Sequence, residues 1–338
     1  MAVACFHFTN GGSLLRTDSW LRAAGSYGWL GTHVFFVVSG FVIPYSLFVS
    51  EYRLRHHLGR FLLKRIARID PPYFVALAIS IAAWQASTLV PGFRGMPFRL
   101  SVPQLLAHLG YVNAFLGYEW LNPVFWTLAI EFQYYVLCAL SFPLLSSQSG
   151  LLRSVSLALW ATAPLVDSNP ALAFKYGGLF AMGILTFQFR ARLWSAVQYY
   201  WLLTATFLLT GFTTGFLIAF VALATAAAIA LTSSQRRFWF ASIGTISYSL
   251  YLLHVPIGGR IVNLGARFAQ GLPSQMLVLF TATIASLGSA YLMYVSIERP
   301  VQRWAASFKY PQPTSDPVPS VGPVVGGPVL RIPSGLRW

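Results

Sequence analysis

Residues 27–48 have the sequence YGWLGTHVFFVVSGFVIPYSLF, and they contain no Lys, Arg, Asp or Glu. A helix needs about 20 such apolar residues to cross the hydrocarbon core of a bilayer. Similar stretches recur along the 338 residues, of which 56% are hydrophobic and 9% are charged, whereas soluble domains are typically about 25% charged. The alternating pattern of a transmembrane β-strand is not present. The sequence therefore predicts an all-α fold, a polytopic integral membrane helical bundle.

About ten transmembrane helices are predicted. The predicted spans are residues 1–8, 27–48, 72–90, 124–145, 154–166, 173–189, 197–212, 215–232, 239–258 and 275–297. The first span is truncated, because eight residues cannot cross a bilayer, and we expect that the start codon was assigned too late or that the chain is a fragment. Residues 1–308 form the predicted transmembrane domain, and the Pro- and Gly-rich residues 309–338 are predicted to be a disordered cytoplasmic tail. The longest outer loop, residues 91–123, could form a lid.

The net charge of +15 has a topological explanation. Most Lys and Arg residues lie between the spans, and the positive-inside rule then places residues 53–68 and both termini in the cytoplasm. This distribution removes the need for a nucleic-acid partner. Cys5 and Cys138 lie in apolar runs without metal-ligand spacing, so the sequence predicts neither a disulfide framework nor a metal site.

Four ionisable residues within the spans mark candidate functional positions, namely His7, His33, Glu131 and His254. A histidine can take a proton from a hydroxyl, so His7 is a candidate base for acyl transfer. Alternatively, His7 is a helix-end residue bonded to a loop carbonyl. Glu131 needs a partner inside the membrane: it orients a histidine, pairs with an arginine or ties two helices together.

Several uncharged polar residues accompany these four. Tyr134 follows Glu131 by about one helical turn, and Trp126 precedes it. Ser247, Tyr251 and His254 form a polar stripe that faces either a cavity or a partner helix. Ser39, which precedes Gly40, and His33 are predicted to line the site or to pack between helices.

A basic segment follows the second span. Arg60, Lys64, Arg65 and Arg68 fall on one side of a helical wheel, which predicts an amphipathic helix at the inner membrane boundary that ends at Pro71 and Pro72. Four cations on one face can hold several phosphates. The alternative is that they set the topology and contact anionic lipids.

Taken together, the sequence resembles the acyltransferase 3 family, membrane-embedded O-acyltransferases that modify bacterial surface glycans and other acceptors. The resemblance is carried, in order, by CFHF, LGTHVFFVVSGFVI, RFLLKRIARIDPPYF, FWTLAIEFQYYVL, YGGLFAMGIL, SYSLYLLHVPI and SIERPVQRW. It implies that His7 is the essential histidine and that Arg65 and Arg68 are the inner-loop arginines. Trp126 and Glu131 match a further family motif, as do Tyr251 and His254. The family typically carries an arginine upstream of the histidine, at a position that precedes Met1.

The resemblance implies transfer of an acyl group, commonly acetyl, from cytoplasmic acyl-CoA to a hydroxyl of a cell-surface saccharide or related acceptor. Acyl-CoA is then a co-substrate, no cofactor is permanently bound, and the protein lies in the bacterial inner membrane. On this hypothesis His7, Glu131 and His254 are catalytic. The four basic residues hold the CoA phosphates, and the uncharged residues named above line the site. Direct transfer and a covalent relay both remain open. The alternative function is a transporter or flippase for a glycan or lipid that uses the same intramembrane His and Glu residues.

Overall fold

The computed structural model describes residues 1–92, 95, 97–232 and 244–308, and every regular element in these ranges is helical. The α-helices are α1 (Ala2–Asn10), α2 (Trp20–Gly25), α3 (Gly31–Val49), α4 (Leu54–Thr88), α5 (Val102–Leu109), α6 (Trp126–Leu145), α7 (Gly150–Val166), α8 (Gly177–Arg190), α9 (Ala196–Thr214), α10 (Phe216–Leu231), α11 (Ser247–Leu253), α12 (Arg260–Gly265), α13 (Leu272–Met293) and α14 (Arg299–Ala306). Short 3₁₀ helices lie at Ser26–Leu30 and Ala173–Tyr176. Two π-helical turns, His254–Gly259 and Tyr294–Glu298, join α11 to α12 and α13 to α14. The predicted all-α fold is confirmed.

Four helical stretches are long and apolar enough to cross a membrane. They are Trp20–Val49, Leu54–Thr88, Trp126–Leu145 and Leu272–Ala306, and two shorter apolar helices are Gly150–Val166 and Phe216–Leu231. The remaining predicted spans coincide with α1, α8, α9 and the α11 segment, apart from residues 239–243, which lie outside the described residues. The helical membrane bundle is therefore confirmed, and the number of ten crossings stays a prediction. The predicted tail, residues 309–338, also lies outside the described residues.

The outer surface of the bundle is apolar. Large side chains that would be costly to expose to water, such as Trp201, Phe212, Phe220 and Phe280, are more than 60% exposed. In a bilayer these side chains contact lipid tails, so their exposure costs nothing. The surface therefore agrees with the composition of the chain.

Helix α8 lies at the centre of the bundle, and every residue from Gly177 to Gln188 is buried. It crosses α3 at Gly40 and Gly183. A Cβ atom at Gly40 would lie 2.5 Å from the Phe180 carbonyl oxygen, and one at Gly183 would lie 2.2 Å from the Val37 carbonyl oxygen. The two backbones approach this closely only because both residues lack a side chain.

Helix α4 corrects one prediction from the sequence. The basic segment does not end at Pro71 and Pro72, because a single helix continues from Leu54 to Thr88. Proline removes one backbone hydrogen bond, but membrane helices tolerate this loss when neighbouring groups bond the backbone. Just before the prolines, the Tyr248 hydroxyl donates to the Ile69 carbonyl at 2.9 Å and ties α4 to α11. The helix is about 52 Å long, so its basic first half extends beyond the hydrocarbon core of about 30 Å.

Candidate functional site

Two imidazoles that are far apart in the sequence lie side by side. The ring centroids of His7, near the end of α1, and His254, at the start of the first π-helical turn, are 5.2 Å apart. His7 is half-buried and His254 is 1% exposed. Helix α1 reaches this position because Gly258 leaves room for Phe8, whose Cζ would lie 2.4 Å from a Cβ atom at Gly258. We call His7 and His254 the imidazole pair.

The hydrogen bond made by His254 defines its tautomer. Its Nδ1 lies 3.1 Å from the Leu250 carbonyl oxygen, which can only accept, so Nδ1 carries the proton in the neutral ring. The lone pair then resides on Nε2. This buried atom has no hydrogen-bond partner among the described residues. A substrate hydroxyl that reached Nε2 would find an unused acceptor there.

A chain of polar groups leads from the imidazole pair along α6. The Tyr251 ring lies 5.9 Å from the His254 ring, and its hydroxyl is 2.6 Å from Thr127 Oγ1. Glu131 follows Thr127 by one turn on the same face of α6, and Tyr135 follows Glu131 by one more turn. Thr127 and Tyr135 are therefore about 12 Å apart along the helix axis.

Glu131 and Arg65 lie at the other end of this chain. Glu131 is 8% exposed and its Oε1 accepts a hydrogen bond from the Tyr135 hydroxyl. The Arg65 guanidinium lies 5.6 Å from the Tyr135 ring centroid and 5.2 Å from the Phe61 ring centroid, and its Nη2 donates to Ser46 Oγ at 2.9 Å. Arg65 is thus a buried cation close to a buried carboxylate.

The four basic residues of α4 differ in their environments. Arg65 is 7% exposed and faces the bundle, Lys64 and Arg68 are half-buried, and Arg60 is exposed. The charges of Arg65 and Arg68 both act on Glu131. The structure therefore buries one of the four cations, half-buries two and leaves Arg60 at the surface.

The remaining predicted residues separate into groups. Trp126 packs against Tyr176 at 5.7 Å between centroids, close to Thr127. His33 packs against Trp29 at 5.1 Å, and Ser39 is buried beside the Gly40 crossing, so both pack between helices in the part of the chain that is described.

Two predicted residues lie away from the polar chain. Tyr134 stacks on Phe180 at 4.0 Å in the core, because the residue three positions after Glu131 turns away from it more than Tyr135 does. Ser247 is exposed and donates to the Gly244 carbonyl at 2.7 Å. It shares a face with His254 but lies about 10 Å from it along the helix.

Comparison with known proteins gives one match. The sequence profile of the acyltransferase 3 family, described as an acyltransferase domain, matches residues 1–295. The chain belongs to the acyltransferase 3 family. No curated protein and no solved structure matches it. The predicted family membership is confirmed, and with the apolar helices it identifies this acyltransferase 3 protein as an integral membrane acyltransferase.

The structure adds a buried carboxylate that the sequence analysis of this acyltransferase 3 protein missed. Glu298, at the end of the second π-helical turn, is 3% exposed. Its Oε2 accepts from Ser249 Oγ at 2.5 Å and its Oε1 accepts from Gln302 Nε2 at 2.9 Å. Glu298 also acts electrostatically on Arg68. The signal was the glutamate in SIERP, which the predicted tenth span, ending at residue 297, placed outside the bundle.

Hydrogen bonds join the segment around α5 to the helical bundle of the acyltransferase 3 protein. The Tyr111 hydroxyl donates to Asp70 Oδ1 at 2.9 Å, and Asn122 Nδ2 donates to the Leu252 carbonyl at 3.0 Å. His108 is fully buried, and its Nε2 accepts from the Leu121 backbone N–H at 3.1 Å. Burial lowers the pKa of His108, so this residue is neutral near pH 7.

Proposed function

We propose that the protein transfers an acyl group from cytoplasmic acyl-CoA to a hydroxyl of a cell-surface saccharide or related acceptor. The proposal is carried by one observation, the row of polar residues from the imidazole pair through Tyr251, Thr127, Glu131 and Tyr135 to Arg65. Such a chain inside a membrane costs free energy and persists where it serves a function. It would let the donor bind at the basic end and react at the imidazole end.

The basic end suits the phosphates of coenzyme A. Arginine forms paired, charge-assisted hydrogen bonds with phosphate oxygens, and Arg68 is half-buried beside Arg65 at the start of the polar chain. Lys64, which is half-buried, and Arg60, which is exposed, lie on the same helix and add positive charge. The pantetheine arm would then run along α6 toward the imidazole pair.

The chemistry is a nucleophilic displacement at the thioester carbonyl. The acceptor oxygen attacks the carbonyl carbon, an imidazole takes the hydroxyl proton, and the tetrahedral intermediate collapses. A C–O bond forms, the C–S bond breaks, and the proton passes to the leaving thiolate to give CoA. His254 Nε2 offers a free lone pair, and His7 lies beside it, so the pair can take and return one proton.

General-base assistance of this kind is worth about 10² to 10⁴ in rate. The remaining acceleration would come from holding the thioester and the hydroxyl in reacting geometry. We place the imidazole pair near the outer leaflet and the basic first half of α4 on the cytoplasmic side, which fits an acceptor outside an inner membrane.

The test is binding of radiolabelled acetyl-CoA to the detergent-solubilised protein, in the wild type and in Arg65→Ala. We expect saturable binding that weakens at least about tenfold in the variant, because a buried charge-assisted contact is lost. Arg55→Ala is the matched control, since Arg55 is an exposed arginine on the same helix. Equal loss in both variants, or no saturable binding by folded wild type, would refute the donor assignment and favour the transport alternative.

A further inference from the structure

An apolar cleft of about 410 Å³ adjoins the imidazole pair. Its walls come from α1, α2, α11 and α13, and they include Ala4, Phe8, Ala24, Leu250 and Thr283. Ligand sites in proteins typically have volumes of about 300 to 1,000 Å³. The cleft is therefore large enough for a ligand.

The side-chain hydroxyls in the walls of the cleft are all occupied by backbone hydrogen bonds. Three hydroxyls line it, and each donates to a carbonyl of its own helix: Thr9 to Cys5 at 2.8 Å, Thr283 to Leu279 at 2.8 Å, and Ser286 to Ala282 at 2.7 Å. The other lining residues are apolar, apart from the Cys5 thiol and the α-amino group of Met1 at one edge of the cleft. Such walls suit a hydrocarbon chain.

Two wall residues connect the cleft to the imidazole pair. The Phe8 ring lies 6.2 Å from the His254 ring, and the Leu250 carbonyl accepts the His254 Nδ1 hydrogen bond. Phe8 also follows His7 directly in α1. A group that reacts at the imidazole pair thus lies next to the cleft.

We infer that the cleft binds the aliphatic acyl chain of the donor and selects a medium-length chain over acetyl. This inference rests on the proposed function. Pantetheine would approach along α6, and the acyl chain, which leaves the thioester on the opposite side, continues toward α1 and α13. An apolar cavity of 150 Å³ holds the six carbons of benzene, so 410 Å³ holds roughly 16 carbons at most. Two carbons of an acetyl group would leave most of the cleft unfilled.

The test compares two unreactive thioethers, S-octyl-CoA and S-ethyl-CoA, as competitors of labelled acetyl-CoA. Each buried methylene strengthens binding roughly fourfold, so we expect the octyl compound to bind at least about tenfold more tightly. Thr283→Trp fills the cleft and should remove this preference. Thr281→Trp is the control, because Thr281 lies on the same helix with the same 2.8 Å bond to a backbone carbonyl but is exposed and outside the cleft. Equal affinity for both thioethers in the wild type, or the same ratio in both variants, would overturn the inference.

Cys5 gives a second measurement that needs no affinity ratio. It is an exposed free thiol in the cleft wall, whereas Cys138 is buried, so an apolar maleimide should label Cys5 selectively. S-octyl-CoA should slow this labelling at least about fivefold and S-ethyl-CoA should not. Protection by phospholipid but not by S-octyl-CoA would assign the cleft to a membrane lipid and overturn the inference. Failure of both thioethers to compete would instead refute the proposed donor itself.

Discussion

Gly258→Ala should impair catalysis by separating the imidazole pair. Gly258 lies in the first π-helical turn, and the added Cβ would lie 2.4 Å from both Phe8 Cζ and Ser286 Oγ. Ordinary contact begins near 3.4 Å, so the neighbours must retreat by about 1 Å. Phe8 is 4% exposed, and its ring can move only with α1 or into the cleft.

A displacement of 1 Å costs about 10²-fold in rate when it misplaces reacting groups. Movement of α1 shifts His7, and movement of the ring fills the cleft, so transfer from octanoyl-CoA should fall about 100-fold in either case. The assay is the steady-state release of CoA thiol by membrane vesicles that contain the acceptor. Folding is checked by thermal denaturation in detergent.

The neighbouring glycine provides the control. A Cβ atom at Gly259 would lie 3.8 Å from its nearest neighbour, Val255 Cγ1, and the Gly259 φ of −61° suits any residue. Gly259→Ala should therefore keep nearly full activity. If Gly258→Ala matched Gly259→Ala within threefold, the close approach of α1 would not set the rate, and the argument for the imidazole pair would fail.

Three further predictions concern stability. Gly40→Ala should destabilise the bundle by about 1 to 3 kcal/mol, because the added methyl group meets the Phe180 carbonyl. Gly59→Ala is the control and should not destabilise it, since Gly59 has open space around it. Equal denaturation midpoints for the two variants would contradict the close crossing of α3 and α8. Tyr135→Phe should cost about 1 to 3 kcal/mol because it removes a donor from the buried Glu131 carboxylate, and the exposed Tyr291→Phe should leave the midpoint unchanged. Burial lowers the folded pKa of His108, so its stabilising contribution is present above the unfolded pKa of about 6.5 and is lost as pH falls below it. Hydrogen exchange at the Leu121 amide, corrected for its intrinsic rate, should therefore quicken from about pH 6.5 downward, and His108→Gln should remove this dependence.

The sequence predicted the helices well because uncharged stretches and basic boundaries depend on local composition. It failed where tertiary contacts decide the outcome. Pro71 and Pro72 normally end a helix, but α4 continues through them because it is packed in the bundle against α6, α11 and α14.

The candidate site shows the same division. His7 and His254 were each predicted from their cost in a membrane, but their contact depends on the space at Gly258, which no periodicity indicates. Helical spacing placed Ser247 with His254 on one face. In the structure Ser247 is exposed, and the buried serine of this helix is Ser249, which donates to Glu298 in the second π-helical turn. The position of Glu298 could not be read from the spacing.

The π-helical turn at His254–Gly259 has a consequence for engineering the chain length. Successive side chains of an α-helix point in directions about 100° apart. The extra residue in a π-helical turn therefore rotates the side chains of α12 relative to those of α11. An insertion or deletion between Arg260 and Gly265 would rotate the C-terminal end of this helix and leave Tyr251 and His254 in place. A one-residue deletion inside the turn would restore a regular helix and rotate α12 and the residues that follow it about the helix axis.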